Sequence, residues 1–140
     1  MRKHSLVNGI LIVLSLLALD VNGQNNDVYQ SIEAEDFYKK MNQEPDALVI
    51  DVCLEEDFKQ KRIPGAFSAA EPDKLKELTE SLDKNTPLLL YCYDGERSET
   101  ACEILTEDYG FQNVFNLTKG LERWEELGFP VDHEEMDEIE

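Results

Sequence analysis

The chain has 140 residues, enough for one ordinary domain, and its 41% hydrophobic and 31% charged content is typical of a globular protein rather than a disordered or fibrous one. Its 31 acidic and 13 basic residues give a formal net charge of −18. Such a charge repels nucleic acids and anionic membranes, so we expect neither as a partner.

The N-terminus has the order of a secretory signal peptide. Arg2 and Lys3 supply a positive start, and the apolar run at residues 6–19 is shorter than the roughly 20 residues that cross a bilayer as a helix. Small residues then precede an expected cleavage after Gly23. We therefore expect residues 1–23 to be a signal peptide and the protein to be exported, periplasmic or extracellular. An uncleaved anchor or a buried helix stays open as the alternative.

Past residue 27, short β-rich runs alternate with amphipathic stretches. The pattern predicts strands at residues 28–32, 47–52, 88–91 and 114–117, and helices at residues 34–42, 55–60, 73–82 and 98–109, with a last one around Leu121, Trp124 and Leu127. This alternation predicts a parallel sheet covered by helices on both faces. In such sheets, sites form at the carboxyl ends of the strands.

Two of the three cysteines stand at predicted strand ends. Cys53 follows Val52 and Cys92 follows Tyr91, whereas Cys102 lies within a helix, where we expect it simply to pack. Exported proteins usually pair their cysteines, but three cysteines cannot all pair within one chain. The odd number is a first indication of a working thiol.

The loop after the strand at residues 88–91 combines a thiol with groups that stabilise an anion. It consists of Cys92, Tyr93, Asp94, Gly95, Glu96 and Arg97, and Ser98 follows as the expected cap of the next helix. Backbone N–H groups of such a loop can form an anion-binding nest, to which the helix N-terminus and Arg97 add positive charge. A thiol held there is favoured as a nucleophilic thiolate.

Residues 88–98 resemble the active-site loop of rhodanese-like sulfurtransferases. Three further pieces agree with that family in the same order: residues 48–52 with Glu55, Glu56 and Phe58, the turn Ile63-Pro64-Gly65-Ala66, and a C-terminal signature of Asn113, Val114, Asn116, Leu117, Gly120, Trp124, Gly128 and Pro130. The resemblance implies a three-layer α/β domain at residues 27–132, with a central, mostly parallel five-stranded sheet flanked by helices. Residues 133–140 remain as an acidic, solvated tail.

The resemblance also implies a function. The Cys92 thiolate would take a sulfane sulfur from a donor, become a persulfide and pass the outer sulfur to a thiol acceptor, with the amides from Tyr93 to Arg97 binding the persulfide. It implies no metal and no organic cofactor. Phosphatases of this fold have a loop one residue longer for the larger phosphate group, so the spacing from Cys92 to Arg97 favours sulfur.

Three features depart from the family pattern, and one of them is Arg62, which stands before Ile63 where the family often has a histidine. Cys53 stands where the family has an arginine, and Asp94 and Glu96 place two carboxylates in the loop. These carboxylates make the mouth of the loop poor at attracting a small dianion. The donor could be a small sulfane-sulfur compound or a persulfide-bearing protein. We therefore expect a partner protein rather than thiosulfate as the natural donor.

Three interpretations stay open at this point. Cys92 is a sulfur carrier, or Cys92 and Cys53 form a thiol–disulfide pair in which Cys53 is the resolving thiol, or the domain only binds a partner. For Cys53 the simpler alternative is a small residue that fills the space left by the arginine. Asp51, at a strand end beside the loop, is expected to support it through hydrogen bonds to the backbone.

Overall fold

A computed structural model describes residues 29–134 of the protein. The predicted signal peptide and residues 135–140 of the predicted acidic tail lie outside the described residues. Within residues 29–134, no helix is long and apolar enough to cross a membrane.

Strands and helices alternate along most of the described chain, as the sequence predicts. The strands are β1 (Gln30–Ile32), β2 (Leu48–Asp51), β3 (Lys61–Arg62), β4 (Phe67–Ser68), β5 (Leu88–Tyr91), β6 (Val114–Leu117) and β7 (Asp132–His133). The helices are α1 (Ala34–Gln43), α2 (Glu55–Gln60), α3 (Pro72–Thr79), α4 (Glu96–Glu103) and α5 (Gly120–Glu126), and α4 continues into a π-helical turn at Ile104–Asp108.

Five strands form one parallel sheet in the order β1-β6-β5-β2-β4. Asp51 of β2 lies opposite Tyr91 of β5, so the carboxyl ends of these two strands meet at one edge of the sheet. The predicted α/β class with a five-stranded sheet is confirmed. A two-stranded antiparallel ribbon of β3 and β7 stands apart from this sheet.

The central strands are apolar except at the buried residues Asp51 and Asn116, because both faces of the sheet are covered. One face packs against α3 and α4, and the other packs against α1 and α5. The first cluster includes Ile50, Leu88, Leu90, Val114, Leu75 and Leu105, and the second includes Val49, Leu89, Tyr91, Phe115, Phe37 and Trp124. Neighbouring residues of one strand therefore belong to opposite faces, as a two-residue repeat requires.

Two helix boundaries, the end of α3 and the start of α4, differ from the prediction by more than one residue. α3 ends at Thr79 rather than at residue 82, because the N–H of Leu82 turns back to the carbonyl of Thr79 at 3.1 Å. α4 begins at Glu96, two residues earlier than predicted, because Gly95 takes a left-handed φ of 101° and starts the helix there.

Candidate active site

Cys92 is the first residue beyond β5, at the carboxyl edge of the sheet. The residue is only 1% exposed, the N–H of Gly95 donates to its Sγ at 3.1 Å, and the Oγ of Ser98 lies 3.4 Å from it. The loop thus wraps around the sulfur. The prediction that Ser98 caps α4 is wrong, because Gly95 occupies that position and the Ser98 hydroxyl donates to the Gly95 carbonyl at 3.0 Å.

Asp94 places a carboxylate beside this sulfur. The Cys92 thiol donates to Asp94 Oδ1 at 3.6 Å, and the N–H of Glu96 donates to the same oxygen at 3.0 Å. One amide of the predicted nest is therefore already bonded to a side-chain carboxylate. Tyr93 and Glu96 are exposed at the rim of the loop.

Arg97 links the start of α4 to two other segments. Its Nε donates to the carbonyl of Val52 at 3.0 Å, and its Nη2 donates to the carbonyl of Ala70 at 3.1 Å. These carbonyls follow β2 and β4, so Arg97 braces the loop against the ends of both strands. Arg97 also lines the cavity that Cys92 lines. Its contact with a bound anion stays a prediction.

Asp51 bonds to the backbone just beyond its own strand, β2, and its support of the Cys92 loop stays a prediction. The carboxyl is fully buried and its Oδ1 accepts the N–H of Cys53 at 2.8 Å. Burial raises the pKa of Asp51, and hydrogen bonds from Tyr91 and Cys53 oppose that rise. Burial also raises the pKa of the Cys53 thiol, and the nearby charge of Asp51 adds to this effect. Cys53 is thus a buried, protonated, free thiol at neutral pH.

Cys53 and Cys92, the two thiols predicted at the site, line the same cavity. A cavity of about 210 Å³ is lined by Cys53, Leu54, Asp57, Cys92, Tyr93, Asp94, Glu96 and Arg97. A second cavity of about 430 Å³ shares Cys53, Asp57 and Tyr93 with it. Cys102 is fully buried on the inner face of α4 and packs in the core there, as predicted. Among the described side chains, no group of three or more His, Cys, Asp or Glu is arranged to hold a metal ion.

Helix α5 holds the loop from its other side, a contact that the sequence pattern does not predict. The N–H of Leu121 donates to the Cys92 carbonyl at 2.8 Å, and the N–H of Glu122 donates to the Tyr93 carbonyl at 3.0 Å. Gly120 has a φ of 55°, and a Cβ there would come within 2.4 Å of the Cys92 carbonyl oxygen. The sequence carries a signal for this contact, since Gly120 matches the family's C-terminal signature, but the pattern alone gives the glycine no role.

Comparison with known proteins agrees with this geometry. The family description "Rhodanese-like domain" matches residues 33–127. The thiosulfate sulfurtransferase GlpE of Coxiella burnetii is 33% identical over 93 residues, which are 66% of this chain and 81% of that protein. YrkF of Bacillus subtilis, named as a sulfur carrier protein, is 26% identical over 103 residues, which are 74% of this chain and 55% of that protein.

Solved structures share the fold. The solution structure of a rhodanese-like domain from Anabaena sp. matches with a TM-score of 0.67 at 23% identity, covering 79% of this chain and 84% of that domain. The names of the curated relatives support a sulfurtransferase or sulfur-carrier role at the level of the family. The extent of the family match and the identity to GlpE establish that this chain belongs to the rhodanese-like domain family.

Proposed function

We propose that this protein is a sulfurtransferase or persulfide carrier whose nucleophile is Cys92. The observation that carries the proposal is the position of the Cys92 sulfur. It accepts the N–H of Gly95 at 3.1 Å and lies at the wall of a cavity of about 210 Å³, which offers space for a second sulfur. The sulfurtransferase and sulfur-carrier names of the relatives support the same chemistry.

The proposed reaction is a pair of displacements at sulfur. The Cys92 thiolate attacks the outer sulfur of a donor R–S–SH, which forms Cys92–S–SH and releases R–S⁻. The thiolate of an acceptor then attacks the outer sulfur and takes it, and the Cys92 thiolate is restored. The N–H of Gly95 is placed to stabilise negative charge on the sulfur in both steps.

Intact mass of the purified protein before and after treatment with a sulfane-sulfur donor tests this function. We expect a gain of about 32 Da, one sulfur atom, that a reductant removes. Cys92→Ser abolishes the gain, whereas the matched control Cys102→Ala, which changes a thiol buried in the core, retains it. No gain with either thiosulfate or glutathione persulfide would contradict the proposal and favour a domain that only binds a partner.

The cavity that Cys53 and Cys92 share favours a second candidate function, a thiol–disulfide pair. In this reaction Cys53 attacks the inner sulfur of the Cys92 persulfide, the Cys53–Cys92 disulfide forms, and the outer sulfur leaves as HS⁻. An external dithiol would then reduce the disulfide. Because burial raises the pKa of Cys53 and keeps its thiol protonated, we place this function second.

Cys53→Ser separates the two candidates. If Cys92 only carries sulfur, the variant takes up and passes on sulfur at the native rate. If the pair is the functional unit, the native protein releases hydrogen sulfide after loading and becomes about 2 Da lighter than its reduced form, and the variant does neither. Hydrogen sulfide assays and intact mass measure both outcomes. A 2 Da loss that persists in Cys53→Ser would exclude this pairing.

A further inference from the structure

We infer that the Cys92 site is built to exchange sulfur with a cysteine-bearing protein segment flanked by basic residues, and that it discriminates against small anions. This inference rests on the proposed function and adds the class of partner to it. It follows from the charge, the apolar surface and the internal contacts around the cavity that Cys92 lines.

The rim of this cavity is acidic and partly apolar. We call it the acidic mouth and define it as Leu54, Asp57, Tyr93, Asp94 and Glu96, which line the cavity together with Cys53, Cys92 and Arg97. Three of these five side chains are carboxylates, and the net charge of −18 on the whole chain adds to their field. Low-dielectric walls lined by one sign of charge attract the opposite sign and repel the same sign.

The carboxylate of Asp94 lies at the reacting atom itself. Its Oδ1 is 3.6 Å from Cys92 Sγ and holds the N–H of Glu96 at 3.0 Å. A small anionic donor such as thiosulfate would therefore meet a negative charge where the nest would otherwise supply a free amide. A donor whose own charge is positive meets attraction at the same place.

The cations near the mouth do not offset its carboxylates. Arg97 directs Nε and Nη2 to the carbonyls of Val52 and Ala70, and Lys61 of the neighbouring cavity pairs with Glu125. Lys119 is exposed, and its backbone lies close to Gly95. Arg97 and Lys119 together carry two positive charges, fewer than the three negative charges of the carboxylates of the mouth.

Two exposed apolar side chains indicate a protein partner rather than a small molecule. Tyr93 is 58% exposed and Leu54 is 53% exposed, and both border the opening above Cys92. Aromatic and aliphatic side chains of this kind are the usual anchors of protein interfaces, surrounded by a polar rim. A basic segment that carries a cysteine can cover these side chains and pair with the carboxylates while its sulfur reaches Cys92.

The test measures sulfur transfer from the persulfidated protein to three peptides of equal length. Each has one cysteine, flanked by arginines, by serines or by glutamates. At low salt we expect the arginine peptide to react at least about tenfold faster than the glutamate peptide. At about 1 M salt, where the Debye length is about 3 Å, the two rates converge. Equal rates at low salt would overturn the inference.

Two double variants with the same change of charge locate the effect. Asp57→Asn with Glu96→Gln removes two carboxylates of the mouth and should lower the rate ratio at least about threefold. Glu107→Gln with Asp108→Asn removes two exposed carboxylates of the π-helical turn, which lies beyond the far end of α4, and should leave the ratio unchanged. An equal effect of both variants would assign the preference to net charge and overturn the role of the mouth.

Binding is titrated in parallel, with serine in place of cysteine in the peptides and with the Cys92→Ser protein. Tighter binding of the arginine peptide supports the inference even if Cys92 takes up no sulfur, an outcome that would defeat only the proposed function. Conversely, sulfur uptake by Cys92 without any preference among the peptides would defeat only the inference.

Discussion

The Asp51 carboxyl is fully buried at a strand end, and the residue two positions later is Cys53 rather than the arginine of the family pattern. The cysteine supplies an N–H to Asp51 Oδ1 but no positive charge. Burial therefore raises the pKa of Asp51, and the hydrogen bonds from Tyr91 and Cys53 reduce this rise without reversing it.

This carboxyl gives the folded protein a specific pH dependence. Because its folded pKa lies above the usual 3.8, the folded state binds the proton more tightly than the unfolded chain. Its contribution to the free energy of unfolding therefore falls as pH rises above about 3.8. Asp51→Asn keeps an oxygen acceptor for Cys53 and carries no charge. We therefore expect the free energy of unfolding of the variant, minus that of the native protein, to increase from pH 4 to pH 7. Urea unfolding at several pH values measures the difference.

Glu55 provides the control of opposite sign. The hydroxyl of Ser68 and the ammonium of Lys74 lower the pKa of Glu55, so its contribution is present above pH 4.5 and is lost in acid. The free energy of unfolding of Glu55→Gln should therefore fall below that of the native protein as pH rises. The stability difference between Asp51→Asn and the native protein could instead be independent of pH, or change with pH in the same direction as that of Glu55→Gln. Either result would contradict the conclusion that burial disfavours the charged form of Asp51.

At the scale of elements, α5 and the loop after β5 depend on each other. The first N–H groups of a helix have no partner within the helix, and here Leu121 and Glu122 donate theirs to the carbonyls of Cys92 and Tyr93. The approach is so close that residue 120 has no room for a side chain. The position of Cys92 is thus fixed by a helix that begins 28 residues later in the chain.

Gly120→Ala should separate these elements. The added Cβ would lie 2.4 Å from the Cys92 carbonyl oxygen and 2.5 Å from that of Tyr93, which is backbone and cannot turn aside. We expect a loss of about 2 kcal/mol or more in the free energy of unfolding, with impaired sulfur uptake by Cys92. Urea unfolding and intact mass are the two measurements.

Gly128→Ala is the matched control for this change. Gly128 also has a positive φ, of 76°, but a Cβ there meets nothing within 4 Å. Its replacement carries only the backbone strain of about 1–2 kcal/mol and should leave sulfur uptake intact. Equal losses of stability and of uptake in both variants would show that the contact between α5 and the loop does not position Cys92.

The whole molecule carries far more negative than positive charge, 31 acidic against 13 basic residues. Such an imbalance destabilises the compact state through self-repulsion. The described ion pairs are mostly exposed at the surface, as between Arg123 and Glu126, so each contributes little. The stability of the fold therefore comes from the two apolar faces of the sheet, and the charge works against it.

Screening should relieve this repulsion. We expect the Tm of the protein to rise by several degrees between about 0.01 M and 0.1 M sodium chloride, as the Debye length falls from about 30 Å to about 10 Å, and to change less at higher salt. Calorimetry at fixed pH measures it. If the Tm does not rise in this range, or rises only at molar salt and in proportion to it, charge repulsion is not what limits the stability of the protein.

Much of this protein follows from local sequence pattern. The runs at residues 47–52, 88–91 and 114–117 are apolar except at Asp51 and Asn116, because each of these strands is buried on both faces, and the cysteines after two of them predict a site at that edge. The short strands β3, β4 and β7 were beyond such prediction, since two residues are too few to show a repeat.

The sequence by itself thus determined four strands of the sheet, the helices that cover it and the place of Cys92, because burial leaves a periodic signature in neighbouring residues. Only the tertiary structure decided what surrounds the sulfur. Arg97 bonds to Val52 and Ala70, 45 and 27 residues away, and the Asp94 carboxylate turns onto the sulfur and the Glu96 amide. Contacts between distant residues and the directions of side chains leave no periodic pattern, so they become visible only once the chain is folded.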